Sequence, residues 1–149
     1  MFSLLRPYIF TLDPEAAHDL AIKSLKFNFM PKNFFQVENE EMLSTKLFKK
    51  KLKNPIGLAA GFDKSAEVYS SLFKLGFGFV EVGTITPKRQ FGNPKPRVFR
   101  LENDKALINR LGFNNDGIET VAKRLEKKKS DEFLGINIGP NKDTKYKVL

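Results

Sequence analysis

Three successive short apolar strands, each followed by a Gly- or Asn-rich loop and the first two by a helix, predict an α/β fold built on a parallel sheet. Polar or small residues recur at the C-terminal end of each strand, at Gly61-Phe62-Asp63-Lys64, Gly83-Thr84 and Asn137-Ile138-Gly139. That placement favours a TIM-type (β/α)8 barrel, whose chemistry sits on the C-terminal face, over a doubly wound sheet. Such a barrel takes about 250 residues and eight strands. The 149 residues here supply three strands behind a helical segment, so the barrel is expected to be incomplete in this chain, with an open edge.

Composition narrows the chemistry. Lys and Arg number 26 against 17 Asp and Glu, a formal net charge of +9, and 41% of the residues are hydrophobic, as in a globular protein. The absence of cysteine excludes disulfides, Cys-ligated metal centres and a cysteine nucleophile, and a single histidine, His18, excludes a His-pair metal site, so no metal is expected. No stretch approaches the roughly 20 apolar residues that span a bilayer. The lysines at 49, 50, 51 and 53 and at 127, 128 and 129 read as solvated surface. A small basic nucleic-acid-binding module is the alternative, but no recognised motif accompanies the lysines and they are spread over both halves, so no nucleic acid is expected as a partner.

The elements follow in order. The run from 2 to 10 is apolar, is broken by Arg6 and Pro7, and lacks the basic leader and cleavage site of a signal peptide. Asp13-Pro14-Glu15 starts a second helix, with Asp as N-cap, Pro at the first helical position and Glu complementing the dipole. Ala17, Leu20, Ala21, Ser24 and Leu25 form its narrow apolar face. Two short amphipathic helices joined by a turn suit either packing on a core or lying on a membrane surface. An aromatic connector (Phe27, Phe29, Met30, Phe34, Phe35, with Pro31) and an acidic patch (Glu38, Glu40, Glu41) lead to a domain boundary, which divides the chain into 1–43 and 44–149.

The second part opens with a small strand pair at 45–49 and 51–53. A strand at 56–60 precedes a helix at 66–75 with Val68, Leu72 and Leu75 on one side and Gly76 as its stop. A strand at 79–83 is followed by a long loop, rich in Pro, Gly and basic residues, to about 105. A helix at 115–128, with Ile118, Val121, Ala122 and Leu125 inward, precedes the third strand at 133–138.

Several strand-end residues carry chemistry. Small residues around Ala59, Ala60 and Gly61 let the backbone approach a planar ligand, and Lys64 can reach an anionic one. Thr84 and Asn137 carry groups suited to the edge of a heterocycle, and an Asn between Ile136 and Ile138 in a buried strand needs a partner, either a ligand or a structural group. Asn114 or Asn115 serve as helix caps, whereas Asn109 has no such role and can donate to a carboxylate or an imide. Neither phosphate-loop nor dinucleotide fingerprints are present, and Gly76-Phe77-Gly78 precedes a strand instead of following one.

Four motifs in order carry a family resemblance: Asn54-Pro55-Ile56-Gly57-Leu58-Ala59-Ala60-Gly61-Phe62-Asp63-Lys64; Gly78-Phe79-Val80-Glu81-Val82-Gly83-Thr84-Ile85-Thr86-Pro87 with Gln90-Phe91-Gly92-Asn93-Pro94-Lys95-Pro96-Arg97; Asn109-Arg110-Leu111-Gly112-Phe113-Asn114-Asn115; and Gly135-Ile136-Asn137-Ile138-Gly139. Together they resemble dihydroorotate dehydrogenase. Leu12-Asp13-Pro14-Glu15-Ala16-Ala17-His18 resembles the N-terminal extension of its quinone-dependent, membrane-associated class 2, which the cytosolic class 1 lacks.

The resemblance implies a TIM barrel that binds FMN and oxidises dihydroorotate to orotate in pyrimidine synthesis, the electrons passing to ubiquinone or another membrane quinone. Ala60, Gly61, Phe62, Asp63, Lys64, Thr84 and Asn137 resemble flavin contacts, and Lys64, Asn109, Arg110, Leu111, Gly112 and Phe113 resemble the substrate-binding segment. The amphipathic helices would form the mouth through which the quinone enters. The class 2 base is a serine in an Asn-x-Ser-Ser-Pro-Asn-Thr-like segment that nothing here matches, so it is expected beyond Leu149, as is the phosphate cradle. These 149 residues alone are therefore expected to be inactive. Another FMN-barrel oxidoreductase is a further alternative, against which the N-terminal extension argues. The whole protein is expected to be a monomer, peripheral on the cytoplasmic face of a bacterial inner membrane.

Overall fold

The computed structural model describes residues 2–27, 40–127 and 132–144. Most of the expected aromatic connector, Glu38 and the lysines at 128 and 129 lie outside the described residues. Two helices open the chain, α1 (Phe2–Phe10) and α2 (Pro14–Phe27), and Asp13 caps α2 as expected, its Oδ1 accepting from the N–H groups of Glu15 and Ala16 at 2.9 and 3.0 Å. A single turn, α3 (Glu40–Leu43), precedes an antiparallel hairpin of β1 (Thr45–Leu47) and β2 (Lys50–Leu52).

The central sheet is parallel, with β3 (Gly57–Leu58) beside β4 (Phe79–Ile85) and β4 beside β7 (Leu134–Ile138). The crossovers run through α4 (Tyr69–Lys74) and α5 (Ile118–Leu125). Val80, Val82 and Ile85 project from one face of β4 into a core made with Val68, Tyr69 and Leu72 around α4, Val121 of α5 and Ile22 of α2. Alternation sends Phe79 and Glu81 to the opposite face, and a register irregularity between Val82 and Ile85 returns Ile85 to the core side. The strands do not close into a barrel among the described residues, in keeping with the expected incomplete β/α barrel.

Four expectations are corrected. The first helix after β3 begins at 69, not 66, because Ala66 adopts φ +53° and the Asp63 carboxylate takes the N–H groups of Glu67 and Val68, making 63–68 a side-chain-stapled turn. Gly76 does stop it, at φ +101°. The second begins at 118, not 115: Gly117 is its N-cap, and neither Asn114 nor Asn115 caps it. Instead Asn115 is buried and bridges segments, its Oδ1 accepting from Thr86 N–H (3.1 Å) and Gly117 N–H (2.9 Å) while its Nδ2 donates to Thr86 Oγ1 (2.9 Å).

The expected loop to 105 contains a strand, β5 (Val98–Leu101), which pairs antiparallel with β6 (Ala106–Asn109). Its signal, two four-residue runs around Glu102-Asn103-Asp104-Lys105, is masked by the prolines and cations upstream. Finally, α2 is rotated from the expected face. Ile22 is buried and Leu25 packs on the core, whereas Leu20 is 52% exposed. The cause is tertiary, since His18, one turn before Ile22, packs edge-on against Phe62 with ring centroids 5.1 Å apart.

Candidate functional site

The hairpin β5–β6 holds the helical segment against the strand ends. Arg100 Nη1 donates to the carbonyls of Phe10 (3.2 Å) and Leu12 (2.8 Å), and its guanidinium lies 4.6 Å from the centroid of the Phe10 ring. Arg97 grips Glu15 at the start of α2, with Nη2 2.5 Å from Oε1 and Nε 3.0 Å from Oε2, and its Nη1 donates to the carbonyls of Phe91 and Asn93. Both side chains are nearly buried, at 7% and 11% exposed. The Arg97 guanidinium holds the Glu15 carboxyl below its ordinary range, against the opposing effect of burial.

Between α2, the hairpin and the strand ends lies a cavity of 580 Å³. It gathers Ala60, Gly61, Lys64, Thr84, Asn109, Arg110, Leu111, Gly112 and Phe113 of the expected site, and adds Pro14, Glu15 and His18 from α2 with Val98 and Leu107 from the hairpin. Asn137 lines an adjoining cavity with Thr84, Gly112 and Phe113. Phe62 and Asp63 do not line the main cavity: Phe62 packs on His18, and Asp63, 1% exposed, spends its carboxylate on backbone N–H groups.

The strand ends are shaped by close backbone approach. Gly83 has φ +113°, its N–H donates to the Asp63 carbonyl (3.0 Å) and its carbonyl accepts from Gly61 N–H (2.8 Å), and a Cβ here would lie 2.4 Å from the Asn137 carbonyl oxygen. Gly61, at φ +110°, has open space where a side chain would stand. The Ala60 N–H is directed to Glu81 Oε2 at 3.4 Å. Neither backbone N–H at 60–61 is therefore free for a ligand, and these residues supply shape and carbonyl acceptors instead.

Lys64 Nζ lies 3.2 Å from His18 Nε2. An ammonium has no acceptor, so Nε2 accepts, and the Phe62 backbone also hydrogen-bonds the ring. Burial holds both groups below their ordinary pKa, and the Lys64 charge depresses His18 further. Asp19 and Glu15 partly offset the effect on Lys64, but no carboxylate forms a salt bridge with it among the described residues. A desolvated cation facing a cavity is suited to an anionic or electron-rich ligand. The exposed Asn109 side chain accepts a long contact from Leu111 N–H (3.5 Å), and its amide N–H groups meet no acceptor among the described residues, which leaves them for a ligand.

The expected burial of the strand around Asn137 is corrected, while its need for a partner is met by structural groups. Ile136 and Ile138 are 50% and 74% exposed, and Asn137 has partners within the chain: its Oδ1 accepts from Thr84 Oγ1 (2.7 Å) and its Nδ2 donates to Glu81 Oε1 (3.1 Å). Sequence reasoning passed over Glu81, although a carboxylate between Val80 and Val82 is as conspicuous as an Asn between two isoleucines.

The pKa directions set a pH dependence. His18 favours its neutral form in the fold, so between the ordinary histidine value of 6.5 and its lower folded value the unfolded chain binds more protons and stability falls with acidity. Glu15, also depressed, loses its stabilising charge as pH falls below the ordinary 4.5. Hydrogen exchange of the α2 amides, corrected for intrinsic rates, is expected to accelerate in two stages, the first starting near 6.5 and the second below 4.5. A His18→Gln variant should lose the first stage only, and a single stage in the unaltered protein would contradict the assignment.

The dihydroorotate dehydrogenase family model matches residues 42–148. A curated relative from Bartonella tribocorum, a dihydroorotate dehydrogenase (quinone), is 54% identical over 143 residues, covering 96% of this chain and 39% of its own length. One from Rhodospirillum rubrum with the same name is 50% identical over 143 residues, covering 96% and 38%. The crystal structure of dihydroorotate dehydrogenase from Eimeria tenella in complex with ferulenol superposes with a TM-score of 0.79 at 47% identity, over 90% of this chain and 38% of that one. The chain thus spans about two fifths of the length of the curated relatives it matches, and the matches run through both the N-terminal helices and the strand-end loops. The sequence matches and the superposition of the fold agree, and the chain belongs to the dihydroorotate dehydrogenase family.

Proposed function

We propose that the protein to which these residues belong oxidises dihydroorotate to orotate on FMN and delivers the electrons to a membrane quinone, a step of de novo pyrimidine synthesis. The observation that carries this reading is the 580 Å³ cavity in which Lys64 and the Asn109-to-Phe113 segment meet the start of α2, a volume within the range of small-molecule sites. When bound, FMN supplies the hydride acceptor and the electron store between substrate and quinone. The open face of Gly61 and the Thr84–Asn137 pair suit a flat heterocycle.

Lys64, Thr84 and Asn137 would contact the flavin directly, Ala60 and Gly61 would shape its bed, and Phe62 and Asp63 would hold the loop that carries them. Asn109, Arg110, Leu111, Gly112 and Phe113, with Lys64, would orient the substrate, Asn109 through its uncommitted amide and Lys64 through its charge. The family resemblance places the proton-abstracting base on a serine of a segment that none of the described residues matches, so the residues assigned here bind and orient and none of them is assigned the proton transfer. Leu4, Leu5, Tyr8, Leu12 and Leu20 are exposed on α1, on α2 and at the turn between them, and these helices would rest on the cytoplasmic face of a bacterial inner membrane and admit the quinone. No described helix is long and apolar enough to cross a membrane. A monomer is proposed for the whole protein.

The test is anaerobic spectroscopy of the protein as its reading frame encodes it. Flavin absorbance should bleach with dihydroorotate and return with a short-chain ubiquinone. A colourless protein, or a flavin that soluble acceptors reoxidise and the quinone does not, would sink the proposal.

A further inference from the structure

Glu81 sits in the middle of β4 between Val80 and Val82, both 0% exposed on the core face. Alternation brings its side chain out on the opposite face. There it ties both neighbouring strands, Oε1 accepting from Asn137 Nδ2 on β7 and Oε2 from the Ala60 N–H just beyond β3. An ionised carboxylate offers acceptors only, so Asn137 must turn its NH₂ toward Glu81 and its carbonyl toward the Thr84 hydroxyl, whose proton is thereby committed.

We propose that Glu81 is a positioning residue which, through Asn137, sets the donor and acceptor pattern of the flavin-facing edge at Thr84 and Asn137, and which directly occupies the Ala60 N–H beside them. It leaves Thr84 Oγ1 with lone pairs to offer and Asn137 with one N–H, side by side, and it withdraws the Ala60 N–H. That pattern complements a ring edge carrying an N–H next to a carbonyl. Without Glu81 the Asn137 amide is free to turn over, and the edge then presents the wrong groups.

The inference rests on the flavin reading above, and a double-mutant cycle on FMN dissociation, followed by flavin fluorescence in the protein as encoded, tests it. Glu81→Gln places an amide where two N–H donors need acceptors and should weaken FMN about tenfold. In an Asn137→Ala background the same change should add less than about twofold, because the route through Asn137 is gone and the glutamine carbonyl still accepts from the Ala60 N–H. Circular dichroism reports whether each variant folds, and the cycle is repeated with Glu81→Asp, which keeps the charge and shortens the reach. Additive losses, or unchanged FMN affinity in folded E81Q, overturn the proposal while leaving the flavin site standing. An unaltered protein that takes up no FMN overturns the flavin reading and this inference with it.

Discussion

Under the proposed function, Lys64→Ala in the protein as encoded is expected to lower kcat/KM for dihydroorotate by about 10²- to 10³-fold while leaving the protein no less stable. Lys64 is a cation drawn out of water with a neutral imidazole 3.2 Å from Nζ and no salt-bridge partner among the described residues. Its lowered pKa says that the fold bears a cost for keeping the charge there, a cost recovered when negative charge arrives. A preorganised cation aimed at developing charge contributes about 3–4 kcal/mol when it is lost, which is the stated range. The sign for stability is also fixed: between the depressed folded value and the ordinary 10.5 the unfolded chain binds more protons, so removing the ammonium relieves the fold at neutral pH. Lys64→Met should melt at or above the temperature of the unaltered protein. Arginine should not rescue turnover, since a planar fork cannot replace a point charge beside His18. Stopped-flow reduction of the flavin checks the first effect and thermal melting the second; a variant that reduces flavin at the normal rate would remove Lys64 from the site.

Asp63→Ala is expected to cost about 3 kcal/mol of folding free energy by chemical denaturation. The carboxylate is 1% exposed, and its oxygens accept from the N–H groups of Glu67 (2.7 Å) and Val68 (2.8 Å), so truncation leaves two donors without acceptors and opens a small void. Asparagine should lose nearly as much, because its NH₂ must face one of those donors. The damage should reach the cavity as well, for the Asp63 carbonyl anchors Gly83 N–H and Gly83 in turn holds Gly61. A loss below about 1 kcal/mol would mean that the turn at 63–68 is held by something else.

The behaviour of Asp63 illustrates how far the residues speak for themselves. Its place in a strand-end motif marked it as a contact, yet the motif contains two kinds of residue, those that face the cavity, such as Lys64, and those that hold the loop. Type and spacing are the same in both cases, and only the direction of the side chain separates them. The same holds for α2: periodicity announced a helix and Asp13 its start, but the packed face was decided by His18 and Ile22 meeting Phe62 and the core. Gly76 was legible as a stop because positive φ is a local property, while Ala66 at φ +53° was not, because a non-glycine residue adopts that conformation only when its surroundings impose it.

Local period, capping residues and contiguous motifs were enough to read the alternation of strands and helices, the parallel sheet, the clustering of polar and small residues at strand ends, and the family. It took the folded arrangement to show that Asn137 is held by Thr84 and Glu81, that Glu15 and Arg97, separated by 82 positions, clamp α2 over the cavity, and that the N–H groups of Ala60 and Gly61 are already spent. These are partnerships between residues far apart in the chain, and a hydrogen-bonding group's role depends on which partner reaches it first, a matter of distance in space that no local pattern records.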